Sequence, residues 1–305
     1  MVAMHLPVEH LFTLRLDGLL ANRHDYAGAF GRRILAKALS GSARGQRFNG
    51  TVLPLHATDY GRASTDGTIR QLEADIGIEL DDGTTVLMQY RGRMAPRYGT
   101  GGARIQVGFE VEPGPHGWLN AVQAIGIGEE RADGSTVFEI YALTGAAPGE
   151  GDPAPAGLPA DYIFSRKSEH VPGGKRYKVM GPLGARYFTL AEGGGKFTGP
   201  QLSGEFLSGF SWSPHRTDVR SGDGTPGPDA LWRFDVKTLL REDDGTPILM
   251  SYTGVAAPHY EPGSWVTAIL FEAPEGPHGW LNEVQAIGFG RWAGDGAHYN
   301  VYALC

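Results

Sequence analysis

Three residues in the first half of the chain, His56, Asp59 and Tyr60, have the types and the spacing of an acid–base site. A carboxylate three residues after a histidine can orient the imidazole, which exchanges protons near neutral pH. Tyr60 would then contact the substrate. The same residues also suit a solvated loop in which Asp59 starts a turn. The two interpretations stay open at this point.

The motif Pro-His-Gly-Trp-Leu-Asn occurs twice, at residues 115–120 and 277–282. Its side chains could supply a general base, a stacking surface for substrate at Trp118 or Trp280, and an oxyanion donor. Alternatively, the proline and glycine shape a tight connection, the tryptophan closes one end of a barrel and the asparagine caps a turn. Because both halves of the chain keep the motif, the sequence favours the structural interpretation.

Several further candidates lie on predicted strands and loops. Tyr90 is a candidate for proton transfer, and Arg91, for which the second half has Thr253, would anchor an anionic substrate. The loop residues Tyr98 and His259 would belong to a mobile lid. Plain surface exposure is the alternative for these strand and loop residues. The predicted catalytic residues are Asp59, His56 and Tyr90, and the predicted substrate contacts are Tyr60, Arg91, Tyr98, Trp118, Trp212, His215, Tyr252, His259 and Trp280.

The sequence carries no motif for a bound cofactor or metal. It has no Gly-x-Gly-x-x-Gly after a strand, no phosphate loop, no Gly-x-Ser-x-Gly elbow, no His-Glu-x-x-His and no Cys-x-x-Cys. The chain has 10 histidines, but no two of them stand at i, i+2 on a strand with a third ligand nearby. We therefore predict no metal, no cofactor, and chemistry by side chains alone.

The elements that must position these residues come from an internal repeat. Residues 114–126 recur as residues 276–288 with twelve of thirteen positions identical, at an offset of 162. At the same offset, residues 81–92 return as residues 243–254. We predict two domains, residues 1–145 and 161–305, joined by a linker rich in Pro, Gly and Ala at residues 146–160. An intramolecular pseudo-dimer follows, and a homo-oligomer is possible on this reasoning.

Within each copy the hydrophobic residues alternate with polar ones. Leu72, Ala74 and Ile76 point to one face of a predicted strand, and Asp82-Gly83 then makes a hairpin turn. Residues 32–39 have helical propensity, but their counterpart at 186–190 does not, so both are predicted as strands. Many short antiparallel strands indicate an all-β fold, in which each copy is a sandwich or a closed barrel. We predict two tandem antiparallel β-barrels, since closure removes exposed edges.

Each copy resembles a bacterial family known as domain of unknown function 3237. The resemblance rests on the Phe-Glu…Trp-Leu-Asn segments at 109–120 and 271–282, on the Asp-Asp-Gly hairpins, on residues 202–205 and on the pair Asp59-Tyr60. It implies a calycin-like up-and-down barrel and little about activity. The second copy departs from the family pattern, because Ser211-Trp212 replaces Asp59-Tyr60. A site that uses this aspartate would therefore exist in one copy only.

Composition narrows the classes of partner. The net charge of −7 and the lack of Lys/Arg clusters argue against nucleic acid. No apolar run reaches the length of a membrane span, and no signal peptide is evident, so neither a membrane nor export is expected. Cys305 is the single cysteine, and one thiol forms no internal disulfide, which fits a cytoplasmic protein.

Three functions remain in view. The first is a cofactor-independent isomerase, cyclase or lyase that acts on a small, largely apolar molecule by acid–base chemistry in a barrel pocket. The second is a small-molecule binding protein of the same fold without chemistry, and the third is a structural pseudo-dimer with filled barrels. The residues that differ between the copies are where a specialised function would lie.

Overall fold

The alternating hydrophobic pattern is realised as long antiparallel strands. The computed structural model describes residues 4–29, 31–145, 157–168, 175–181, 184–192, 194–216, 231–261, 263–293 and 296–305. Among these residues the only helical segments are short 3₁₀ turns. In this part of the chain no helix has the length and the hydropathy needed to span a membrane. The predicted all-β fold of antiparallel barrels is confirmed.

The first copy forms one closed barrel with an added hairpin. Its strands are β1 (Met4–Asp17), β2 (Arg23–Gly28), β3 (Gly31–Lys37), β4 (Ser40–Arg44), β5 (Asn49–Ala63), β6 (Arg70–Leu80), β7 (Thr85–Met94), β8 (Gly102–Val111), β9 (Ala124–Glu130) and β10 (Thr136–Leu143). The ring runs β1, β4, β5, β6, β7, β8, β9, β10 and back to β1. The hairpin of β2 and β3 is attached through β3 to the second half of β5.

The second copy repeats this arrangement. Its strands are β11 (Gly157–Ser168), β12 (Lys175–Gly181), β13 (Gly184–Glu192), β14 (Lys196–Thr198), β15 (Gly204–Arg216), β16 (Trp232–Glu242), β17 (Pro247–Ala256), β18 (Ser264–Glu272), β19 (Gln285–Ala293) and β20 (Gly296–Leu304). The ring runs β11, β14, β15, β16, β17, β18, β19, β20 and back to β11. The hairpin of β12 and β13 is attached through β13 to β15.

The boundaries between the copies differ from the predicted ones. One compact unit contains residues 8–143, and the other contains residues 1–7 together with residues 144–305. The first residues of β1 pair with the first residues of β11, Met4 opposite Ala160 and Pro7 opposite Gly157. Strand β11 therefore begins inside the predicted linker, and residues 146–156 lie outside the described part. Backbone pairing, which local composition does not reveal, sets this boundary.

Residues 32–39 form a strand rather than a helix, as predicted. Strand β3 buries Ile34 and Ala36 and exposes Leu35, which is the period of two that a half-buried strand requires. Its counterpart β13 is also a strand. Pairing with β5 overrides the helical propensity of this segment.

Each barrel has its own hydrophobic core of inward-facing residues from all sides of the ring. The core of the first barrel includes the fully buried Phe12, Phe109 and Phe138, and that of the second includes Phe164, Phe197 and Phe271. Side chains of this volume fill most of the interior of an eight-stranded barrel.

Candidate functional site

A cavity of about 20 Å³ lies at one end of the first barrel, where the β2–β3 hairpin meets the ring. This is room for about one water molecule. Its wall combines apolar and ionisable side chains from the turn after β1 and from seven strands. They are Leu19, Leu20, Arg23, Ile34, Ala36, Asp59, Arg70, Leu72, Tyr90, Met94, Glu130, Thr136 and Phe138.

Asp59 is the buried acid of this cavity. On β5, Ala57 and Asp59 face inward and His56 and Tyr60 face outward, because successive side chains of a strand alternate. Asp59 is 8% exposed. Its Oδ2 accepts a hydrogen bond from the Tyr90 hydroxyl at 3.3 Å, and its Oδ1 accepts a long one at 3.5 Å from the backbone N–H of Glu73.

Burial raises the pKa of Asp59 to about 6, because the carboxylate is separated from water. The backbone N–H of Glu73, the charge of Arg70, the Tyr90 hydroxyl and the charge of Arg23 each oppose this rise. A carboxyl group with this pKa is largely ionised at pH 7 and readily takes up a proton. It can therefore act as a general base and return the proton as an acid.

Tyr90 is buried beside Asp59. Ala74 of β6 lies between them, since it pairs with Asp59 of β5 on one side and with Tyr90 of β7 on the other. Its pKa lies well above the ordinary value because of burial, and the neighbouring Asp59 carboxylate raises it further. The phenol therefore stays neutral and donates its proton to Asp59 in a hydrogen bond. As a result, Tyr90 fits the role of a hydrogen-bond donor better than that of a base.

An ion pair between Arg70 and Glu130 closes another side of the cavity, with a distance of 2.7 Å between Nη1 and Oε1. The Nε of Arg70 is enclosed and has no acceptor among the described residues. Sequence reasoning missed both residues, which are 60 positions apart. A signal did exist, because the second copy has Trp232 and Trp292 at the two equivalent positions, so both members of the pair change together.

His56, Tyr60 and Arg91, which were predicted for this site, lie outside the cavity. His56 and Tyr60 are exposed on the outer face of β5. Arg91 forms an ion pair with Glu73 at 3.2 Å, with both side chains about two-fifths exposed. The predicted pairing of His56 with Asp59 therefore does not form, because a spacing of three residues places two side chains on opposite faces of a strand.

Tyr98 and Trp118 are not among the residues that line the cavity. Tyr98 sits in the 3₁₀ turn Pro96–Tyr98, with the Arg104 guanidinium 4.6 Å from its ring centre. Trp118 follows the end of β8, whereas the cavity is next to the start of that strand. Its ring packs against the core at the opposite end of the barrel, under Arg47 at 3.4 Å.

The repeated Pro-His-Gly-Trp-Leu-Asn motif has a structural role in both copies. In the first copy, His116 bonds to Asp82 of the Asp-Asp-Gly hairpin at 2.9 Å, and the Asn120 side chain bonds to the backbone N–H and C=O of Val111. The second copy makes the equivalent contacts through His278 and Asn282. Within each copy, the Pro-His-Gly-Trp-Leu-Asn motif therefore bonds to the Asp-Asp-Gly hairpin at one end of the barrel. These contacts support the structural interpretation.

The predicted contacts of the second copy do not converge on one pocket. Trp212 is 41% exposed, and Trp280 packs against the core in the repeated motif. His259 is on the surface, with its ring 4.0 Å from that of Tyr260. Tyr252 lies in the barrel interior.

Two positions of the second copy remain, His215 and Ser211, which corresponds to Asp59. The backbone of His215 pairs with Arg233, and its side chain is outside the described part. Ser211 lies opposite Val236 as Asp59 lies opposite Ala74, so the second barrel has no carboxylate at this position.

One group of side chains has the composition of a metal site. Ligand atoms of Glu242, Asp244 and His278 lie within 4.8 Å of one another. These groups already bind each other and the hairpin backbone, since Asp244 bonds to His278 and Glu242 accepts the N–H of Ser203 and of Asp244. Leu80 replaces Glu242 in the first copy. We assign no ion here, and the expectation of a metal-free protein stays a prediction.

Comparison with solved structures returns proteins the size of one copy. A β-barrel-like protein from Acinetobacter baumannii AYE is 20% identical, covers 45% of this chain and 96% of its own, and has a TM-score of 0.40. A conserved protein of unknown function from Rhodopseudomonas palustris is 21% identical, covers 45% of this chain and 97% of its own, and has a TM-score of 0.40. A protein described as an enzyme from Penicillium herquei has 22% identity, 50% and 99% coverage and a TM-score of 0.36.

No curated protein matches the chain. The model of one family, described as protein of unknown function (DUF3237), matches it twice, at residues 6–143 and 168–304. The first match covers nearly all of the first barrel, and the second covers the second barrel from the last residue of β11 onward. Together they cover most of the sequence. The chain therefore belongs to the DUF3237 family and carries two copies of its domain in tandem.

Proposed function

We propose that the protein is a cofactor-independent enzyme that transfers a proton within a small, largely apolar molecule, as an isomerase, cyclase or lyase. The observation that carries this proposal is the enclosed Asp59 carboxyl group, with a pKa of about 6, facing a cavity at the end of the first barrel. Strongly perturbed acids in cavities are frequent at catalytic sites.

The chemistry needs only proton movement. The ionised Asp59 removes a proton from a C–H or O–H group of the substrate and becomes neutral. It then delivers the proton to another atom of the same molecule, or to a leaving group, so no oxidant or reductant is consumed. Arg70 lies in the same wall, and its enclosed Nε has no acceptor within the described part of the chain, so it is suited to stabilise negative charge that develops on a substrate oxygen.

The small volume limits how a substrate can bind. Because the cavity has room for about one water molecule, it admits one functional group of the substrate, which would reach Asp59. The neighbouring wall contains Ile34, Leu72 and Phe138, which suits an apolar body near the reacting group. The proposed substrate is therefore a molecule with one acidic C–H or O–H next to an apolar ring or chain.

A hydrogen–deuterium exchange screen tests the proposal without a known substrate. Small ketones and phenols with an apolar body are incubated with the protein in D₂O at pH 7, and proton NMR follows loss of the C–H signal. We expect catalysed exchange for at least one compound, with a loss of at least about tenfold in Asp59→Asn. Asp75→Asn removes an exposed carboxylate of neighbouring β6 and serves as the matched control, with unchanged exchange.

The filled core favours a competing function, that of a purely structural pair of barrels. In that case Asp59 is a buried acid held by Tyr90, and no compound of the screen exchanges or binds. A compound that binds near Asp59, as judged by chemical shifts, but exchanges equally with wild type and Asp59→Asn would instead indicate a binding protein. Either outcome would contradict the enzymatic proposal.

A further inference from the structure

The interior of the second barrel contains a cation where the first barrel contains a leucine. Arg166 on β11 lies opposite Tyr299, and Leu14 on β1 lies opposite Phe138 in the same register. Leu14 is completely buried in the core of the first barrel. The fold itself therefore accepts an apolar residue here, and the guanidinium of the second copy needs another explanation.

Arg166 is only partly satisfied by the protein. One of its terminal nitrogens donates to the carbonyl of Gly194 at 3.2 Å, and the guanidinium lies 3.7 Å from the centre of the Phe206 ring. Its Nε is enclosed and has no acceptor among the described residues. An enclosed donor without an acceptor costs free energy, which favours a ligand that supplies one.

The groups that surround Arg166 are aromatic and hydroxyl groups rather than carboxylates. Its electrostatic neighbours are Tyr252 and Tyr299, whose rings lie 6.0 Å apart, and the Tyr299 hydroxyl bonds to Thr267. The first copy has Tyr90, Phe138 and Ile105 at these three positions, two of them apolar. Among the described residues no carboxylate is a partner of the guanidinium. The second barrel therefore has three hydroxyl groups near Arg166, at Tyr252, Tyr299 and Thr267, where the first barrel has one.

Two members of this cluster correspond to residues that line the cavity of the first barrel. Tyr90 and Phe138 line the cavity around Asp59, and Tyr252 and Tyr299 are their counterparts. Asp59 of the first barrel corresponds to Ser211 in the second, and Leu14 corresponds to Arg166. This part of the second barrel therefore has a cation that the first lacks, and it lacks the Asp59 carboxylate.

From this arrangement we infer that the second barrel binds an anionic aromatic molecule, with its carboxylate on Arg166 and its ring among Phe206, Tyr252 and Tyr299. A planar guanidinium matches a carboxylate with two parallel hydrogen bonds. An aromatic ring of the ligand would make offset or edge-to-face contacts with these side chains at about 4.5–7 Å between ring centres. The inference is independent of proton transfer at Asp59.

Calorimetric titration with benzoate and 2-naphthoate tests this inference on the full chain. We expect at least one acid to bind, and its neutral amide to bind about tenfold more weakly or not at all, because the amide lacks the charge. Arg166→Leu, which introduces the residue of the first copy, should weaken binding of the acid at least about tenfold. Asp59→Asn should leave it unchanged, which separates this site from the proposed catalytic one.

Several outcomes would overturn the inference. They are no binding of either acid to the wild type, equal binding of acid and amide, and undiminished binding to Arg166→Leu. If circular dichroism shows that Arg166→Leu is unfolded, Arg166→Lys decides, because lysine keeps the charge and loses the planar fork. Its affinity should fall several-fold, and an affinity equal to that of the wild type would exclude the inferred pair of hydrogen bonds between the guanidinium and the carboxylate.

Discussion

Asp59 shows how one enclosed carboxyl group can couple stability to pH. The folded first barrel binds a proton at Asp59 more tightly than the unfolded chain does, because its pKa rises from 3.8 to about 6. The stability associated with this group is therefore fully present below a pH of about 4 and is lost as pH rises through about 6. The same property that suits Asp59 for proton transfer makes its ionised form unfavourable for the fold.

Asp59→Asn is expected to unfold in urea at a higher concentration than the wild type at pH 8, and at a similar one near pH 4. The difference between 3.8 and about 6 corresponds to about 3 kcal/mol as an upper value for the gain in the free energy of unfolding. Asp75→Asn, on the outer face of β6, should show no such pH-dependent gain. The prediction would be wrong if Asp59→Asn gained no stability over the wild type at pH 8. Asp59 would then not have the raised pKa that burial gives it.

Tyr90→Phe removes the hydroxyl that donates to Asp59 at 3.3 Å. Because this hydrogen bond favours the ionised carboxylate, its loss should raise the pKa of Asp59 above the wild-type value. Carbon-13 NMR of the aspartate carboxyl groups measures this pKa directly. Tyr252→Phe, the same change in the second barrel, is the control and should leave the Asp59 titration where it is.

At the scale of elements, the repeated motifs connect loops and strands through side-chain hydrogen bonds. The Asn120 side chain closes the connection after β8 with two backbone hydrogen bonds, at 3.0 and 2.8 Å to Val111. This connection lies at the opposite end of the barrel from Asp59. The motif therefore contributes to the stability of the barrel without contact to the candidate site.

Asn120→Ala should destabilise the first barrel by about 1–3 kcal/mol, since two partly buried hydrogen bonds are lost. Urea unfolding would measure this change, and the carboxyl titration of Asp59 should stay the same. Asn282→Ala is the matched variant in the second barrel and should have a similar cost. A shift in the Asp59 pKa in Asn120→Ala would indicate that the motif does reach the site.

At the scale of the whole molecule, the chain begins in one barrel unit and continues in the other. Residues 4–7 of β1 pair with β11, and the rest of β1 completes the ring of the first copy. Leu6 is completely buried, and it belongs to the compact unit that contains the second copy. Residues 4–7 therefore contribute to the stability of that unit through their pairing with β11.

Leu6→Ala should destabilise the unit that contains the second barrel by about 2–5 kcal/mol, the usual cost of a large-to-small change in a core. Hydrogen exchange with mass spectrometry would show faster exchange in β11 and its neighbours. Peptides from β5 to β8 should keep their protection. Faster exchange in β5 to β8 alone would contradict the observed pairing.

The sequence by itself determined the duplication, the all-β class and the barrel, because alternation and turn residues are local and occur twice. It also pointed to Asp59 and Tyr90, through the difference between the copies and the strand pattern. Only the tertiary structure decided that Asp59 faces inward while His56 and Tyr60 face outward, since the face depends on the register of β5 with β3 and β6.

The tertiary structure also brought together residues that no local spacing connects. Arg70 forms an ion pair with Glu130, and Arg166 lies opposite Tyr299, because ring closure places distant strands side by side. The rise in the pKa of Asp59 likewise depends on enclosure by side chains from seven strands. Local sequence carries the identity of each group, whereas burial, pKa and contact arise only when the barrel closes.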